Sequence, residues 1–159
     1  MGQEVEMILL SEENVHVLDG TYPLFSTEGS DITLDRALTL KKYWWKDADN
    51  RYDYSIQLEI VDAENLVAVI LKNDSIIAKD KMRFKLDNGH LEINRYRLLH
   101  GYILVNFFGR LHTTITLLES GSLQINHENT QLATLFILPF AGGSERCREI
   151  EFKRISPLF

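Results

Sequence analysis

From Ile76 to Leu86 the chain places Lys79, Lys81, Arg83 and Lys85 on one parity and Ala78, Met82, Phe84 and Leu86 on the other. A strict period of two sends successive side chains to opposite faces of a sheet, so this run predicts a strand with one wet face and one buried face. Asp80 breaks the apolar parity once. Asp87-Asn88-Gly89 follows, a turn sequence tolerant of positive φ, and Leu91-Glu92-Ile93-Asn94 then alternates again. Tyr54 to Ile60 alternates over its whole length, with Tyr54, Ile56, Leu58 and Ile60 inward, whereas Leu66 to Leu71 is apolar on both parities, as expected of a doubly covered strand.

Further strands are predicted at Leu91 to Tyr96, Gly101 to Phe108, Leu111 to Leu118, Ser122 to Asn126, Leu132 to Leu138 and Arg148 to Ile155. His127 to Thr130 reads as a turn and Ala141-Gly142-Gly143-Ser144 as a flexible loop. Near residues 31–38, helical spacing after Asp31 predicts one short helical turn leading into a strand at about Leu38. Eight to ten short strands joined by short turns point to an all-β protein, and an antiparallel up-and-down β-barrel accounts for them best, because closure removes exposed edges.

The chain has 159 residues, 45% of them hydrophobic and 25% charged, and the expectation is a single domain over 1–159 with one core. A net charge of −6 argues against non-specific nucleic-acid binding. The longest apolar stretch, Leu132 to Ala141, is about half the length of a transmembrane helix and reads as a buried strand. Gly2-Gln3-Glu4-Val5-Glu6 has no basic, apolar leader pattern. The expected location is therefore cytoplasmic if Met1 is the native start, and the cell envelope or the exterior if a leader was removed.

Chemistry is sparse in the pattern. Cys147 is the one cysteine, so neither an internal disulfide nor a cysteine-based zinc site can form. Its neighbours Arg146 and Arg148 would lower the thiol pKa if they approached the sulfur. His16, His90, His100, His112 and His127 show no ligand spacing, and Asp47, Asp49, Asn50 and Asp53 lack the glycine and distal glutamate of a calcium loop. No nucleophile elbow or phosphate loop occurs, so the expectation is a non-enzyme without a cofactor. The aromatic cluster Tyr43, Trp44, Trp45, Tyr52 and Tyr54 offers either packing or an exposed anchor.

Gly20-Thr21-Tyr22, ahead of a run of antiparallel strands, resembles the opening Gly-x-Trp of the lipocalins and their calycin relatives, with Tyr22 where tryptophan would stand. Arg154 matches the basic residue that packs over that aromatic from near the last strand. Ala37-Leu38-Thr39, the lysine-rich strand feeding Phe84 to Ile93, and Ile137-Leu138-Pro139-Phe140 are similar to segments of small lipocalin-like bacterial lipoproteins of unknown function. That resemblance implies a cell-envelope location, with a lipid-bearing cysteine preceding Met1.

The functional expectation is non-enzymatic binding of a small apolar or amphipathic ligand in the barrel, with Trp44, Trp45, Tyr102 and Phe107 at its mouth or lining. The alternative is a structural or protein-interaction module of the envelope, with a filled barrel, an envelope protein as partner and no ligand.

Overall fold

Tight turns set the order of the strands. Asn73 and Asp74 have φ of 49° and 64°, and Asn88 and Gly89 have 49° and 82°. Two consecutive positive φ angles match the twist of flanking antiparallel strands, so each pair folds the chain into a hairpin. Gly121, with φ of 87°, turns a third. Between Ile60 and Asn65 the Asp62 carboxylate accepts the Glu64 N–H at 2.9 Å and the Asn65 side-chain amide at 2.8 Å. Those donors hold its carboxyl below the usual range.

The computed structural model describes residues 5–27, 32–38, 40, 53–101, 105–135 and 138–157. Its strands are β1 (Met7–Ile8), β2 (Gly20–Pro23), β3 (Tyr54–Ile60), β4 (Asn65–Lys72), β5 (Ser75–Arg83) and β6 (Lys85–Asp87). They continue as β7 (His90–Gly101), β8 (Val105–Leu118), β9 (Leu123–Leu135), β10 (Leu138–Phe152) and β11 (Ser156–Pro157). A 3-10 turn spans Val15–Leu18, and a short helix, α1 (Leu34–Ala37), falls where a helical turn was predicted. Leu38 caps α1 in the helical region, so the strand expected from there does not begin at that residue. Residues 39 and 41–52 lie outside the described ones.

The strands form two antiparallel sheets, ordered β10-β9-β8-β7-β6 with β1 beside β8, and β11-β2-β3-β4-β5. One apolar cluster lies between them. Tyr22, Ile56, Leu58, Leu66 and Met82 enter it from the second sheet, and Leu91, Ile93, Ile115, Leu123 and Phe152 from the first. Leu34 and Leu38 close it from α1.

The expected closed, lipocalin-like barrel is not what forms, and the lipocalin, calycin and lipoprotein resemblance falls with it. Both sheets are open: β10 and β6 are the edges of one, β11 and β5 of the other. The chain passes from the first sheet to the second between β1 and β2, and changes sheets again at two corners. At the first, Phe84 separates β5 from β6 and gives its N–H to the Glu64 carbonyl at 2.8 Å. At the second, residues 153–155 carry the chain from β10 to β11. The charged parity of Lys79, Lys81, Arg83 and Lys85 runs unbroken across Phe84, so side-chain alternation conceals a change of hydrogen-bonding partner.

Two more expectations are overturned in the late strands. The predicted turn at 127–130 lies within β9, and the predicted loop at 141–144 lies within β10. The first segment runs from buried His127 to exposed Thr130, and in the second residues 142–146 are exposed on both parities. With water on both faces, the alternation that marks a strand disappears.

Candidate interaction surface

Of the residues predicted to line a ligand site, Phe107 falls among the described ones. Trp44, Trp45 and Tyr102 lie outside the described residues. Phe107 sits on β8, paired with Ala133 of β9 and His100 of β7. No closed barrel forms to hold a ligand, and between the two open sheets Tyr22, Phe152, Leu18, Leu34, Ile56 and Met82 are each less than 2% exposed. A surface hollow of about 740 Å³ touches Thr21, Ser55, Gln57 and Leu71, which face away from the core on the second sheet. The expectation of a ligand held inside a barrel is therefore corrected, and so is its alternative of a filled barrel.

Tyr22 and Arg154 do meet, but as a latch within the open sandwich. The fully buried Tyr22 donates its hydroxyl to the Leu18 carbonyl at 2.7 Å, and Arg154 donates to that hydroxyl through Nε at 3.1 Å and Nη2 at 2.8 Å. The guanidinium lies 5.4 Å from the ring centre and also bonds the Val17 carbonyl. Burial pushes the phenol above its ordinary pKa, and the Arg154 hydrogen bond opposes that rise. The latch ties the 3-10 turn, β2 and the segment after β10 together.

The other candidates are taken up by pairs. Asp80, the residue that broke the apolar parity, faces between the sheets and binds Arg95 of β7 at 3.1 Å. Arg83 pairs with Glu64 at 2.6 Å and Lys85 with Glu92 at 3.5 Å, so part of the basic stripe is neutralised locally. His127 contacts the Thr113 hydroxyl at 3.0 Å, which itself donates to the Ala37 carbonyl at 2.6 Å. His112 bonds Asn94 at 2.7 Å, His90 bonds Thr116 at 2.8 Å, and His16 bonds Asp19 at 3.3 Å. Cys147 stands opposite His127, yet burial and Glu145 push its thiol up, keeping it protonated and weakly nucleophilic. Among the described residues no three metal-ligating side chains converge.

At the outer end of the first sheet, Leu111, Ala133 and Thr134 are buried on one face while the other face is exposed. On β8, Phe108, Arg110, His112 and Thr114 share the wet parity, while Leu111, Thr113 and Ile115 face the core. Phe108 pairs directly with Leu132 of β9, and the two are 45% and 43% exposed. Tyr96, 73% exposed, pairs with Arg110, whose guanidinium is 6.0 Å from its ring. Gly142 of β10 follows Leu132 in register, so an apolar row runs Phe108, Leu132, Gly142 and stops at the sheet edge.

Among the described residues, the middle of that edge lies open. Monomeric sheets protect their edges with lysines, prolines and bulges, and β5 does so with Lys79, Lys81 and a register shift at its partner's Ile70–Leu71. β10 has irregularities between Pro139 and Ala141 and between Cys147 and Ile150, leaving Ala141 to Cys147 regularly paired with β9. Its Glu151 carbonyl accepts the Thr27 N–H at 2.9 Å, which covers the edge near the core. Among the described residues, no strand lies on the outer side of Ala141 to Cys147.

Sequence reasoning assigned Phe108, Leu132 and Tyr96 to strands without marking them as surface. The signal was available: Phe108 shares parity with Arg110, His112 and Thr114, and Leu132 with Asn126, Glu128 and Thr130. An apolar residue on the polar parity is the pattern of an exposed contact. Comparison with protein-family models, with curated proteins and with solved structures yields no match.

Proposed function

We propose that the protein is a non-catalytic interaction module that binds an extended segment of a partner protein by strand addition along β10. One observation carries this reading: an exposed apolar row, Phe108 to Leu132, runs directly into a glycine on a sheet edge that no described strand covers. Strand addition draws affinity from main-chain hydrogen bonds and specificity from alternate side chains. An incoming apolar or aromatic side chain would lie over Gly142, where there is no Cβ of its own to pack, and continue the row. The raised thiol pKa of Cys147 supports a role without nucleophilic chemistry.

Selection from a random library of displayed linear peptides tests the reading. Enriched peptides are expected to show apolar residues at a period of two. Their affinity should fall about tenfold or more with Phe108→Ser or Leu132→Ser, the loss typical of an interface anchor. Methylating alternate backbone nitrogens of a selected peptide should abolish binding in one frame and spare it in the other, because only alternate amides face the edge. Binders indifferent to both frames and to both substitutions would overturn the proposal.

A further inference from the structure

The regular stretch of β10 between its two irregularities is the seven residues Ala141-Gly142-Gly143-Ser144-Glu145-Arg146-Cys147, with Ser144 at the middle. We infer that the strand added at this edge is β10 of a second copy of the chain, antiparallel and centred on Ser144. The inference rests on the strand-addition reading and names its partner.

Symmetry limits the possible registers. A twofold axis perpendicular to the sheet keeps outer faces on one side, so each residue must sit opposite one of its own parity and the axis passes through a residue pair. Centring on Glu145 or Arg146 would put like charges directly opposite each other, which is destabilising. Centring on Ser144 overlaps the whole regular stretch of both copies. Arg146 then lies opposite the second copy's Gly142, Glu145 opposite its Gly143, and Cys147 opposite its Ala141. Every charged side chain of the stretch meets a glycine.

This register also completes the apolar row. Arg146 is 3.4 Å from Glu128 on its own sheet, and its aliphatic stem would lie over the second copy's Gly142, beside that copy's Leu132. Such stems cover apolar surface while the charged head stays in water. The two four-strand ends, β7 to β10 in each copy, would join into one sheet with no β10 edge remaining, which is how an unguarded edge is removed without lysines or prolines.

Cysteine trapping in full-length protein tests the register. In a Cys147→Ser background, Ser144→Cys should oxidise rapidly to a disulfide dimer, because directly opposed Cα atoms lie about 4.5–5.5 Å apart and a disulfide spans about 4.4–6.8 Å. Arg146→Cys in the same background should not, its two copies being offset by four residues, about 13 Å along the strand. Sedimentation of the unmodified protein should show a monomer–dimer equilibrium, weakened by Ser144→Lys, which opposes like charges at the axis. Equal trapping at both positions, trapping at neither, or a monomer at every attainable concentration overturns the self-pairing. Selected peptides that still bind such a monomer would leave the strand-addition reading standing, so the two failures are distinct.

Discussion

Tyr22 shows how one buried polar group couples packing to pH. Its phenol is fully buried between the Leu18 carbonyl and the Arg154 guanidinium, and burial raises its pKa above the ordinary 10.0. A folded value above the unfolded one contributes stability that is fully present below about pH 10 and is lost as pH rises through the folded value. Tyr22→Phe is expected to cost about 1–3 kcal/mol at pH 8, since it strands a buried carbonyl and a guanidinium. Urea unfolding should show the gap between parent and variant narrowing as pH climbs past 10. The Asp80–Arg95 pair, with side chains 10% and 22% exposed, gives a second test. Asp80→Ala should cost about 2 kcal/mol by leaving Arg95 without that carboxylate, whereas Asp80→Leu with Arg95→Met should fall within about 1 kcal/mol of the parent. A double-mutant cycle separates these outcomes.

Among the elements, the hairpins were the most legible and the sheet boundaries the least. Asp87-Asn88-Gly89 announced its turn because few residues tolerate two positive φ angles in succession, and Gly89 is held there for two reasons. A Cβ at Gly89 would stand 2.7 Å from Leu9 Cδ2 and 3.2 Å from the Leu9 backbone, and its φ of 82° strains any other residue. Gly89→Ala is expected to destabilise by about 1–3 kcal/mol, measured as a fall in the urea midpoint with an unchanged slope. Phe84 illustrates the opposite case. Its inward parity was correct, at 4% exposure, yet alternation carries no information about which neighbour a strand bonds to, so the passage from one sheet to the other was invisible. β9 and β10 were cut short for a related reason. Glu128 to Thr130 and Gly142 to Glu145 have turn-like composition, and only pairing with β8 and β9 makes them strands.

Across the whole molecule, stability should fall along the first sheet from core to tip. Leu111 to Leu118 and Leu123 to His127 cover the apolar cluster, whereas residues 142–146 have water on both sides. Amide hydrogen exchange at low protein concentration should therefore be slow, approaching global unfolding, in the first two segments and fast at the outward amides of Gly142 to Arg146. Slow exchange at that tip in dilute protein would mean that another element already covers the edge. Of the candidate surface, little was read in advance. Phe108, Leu132 and Tyr96 carried a legible sign, apolar residues on a polar parity, but their convergence with Gly142 depends on the β8–β9–β10 register. Trp44 and Trp45, taken from the aromatic cluster, and Tyr102 lie outside the described residues.

Local rules were sufficient for the β class, the Asp87–Gly89 turn, the short helix and the inward faces of β3 and β5, because period, positive-φ turn residues and helical spacing are properties of adjacent residues. The open sandwich, the two corners at Phe84 and residues 153–155, and the edge position of β10 depend on which distant strands hydrogen-bond to one another. Alternation is the same whichever partner a strand takes, so pairing is set by the sum of core contacts and registers in the folded chain, and nothing in a single run of residues encodes it.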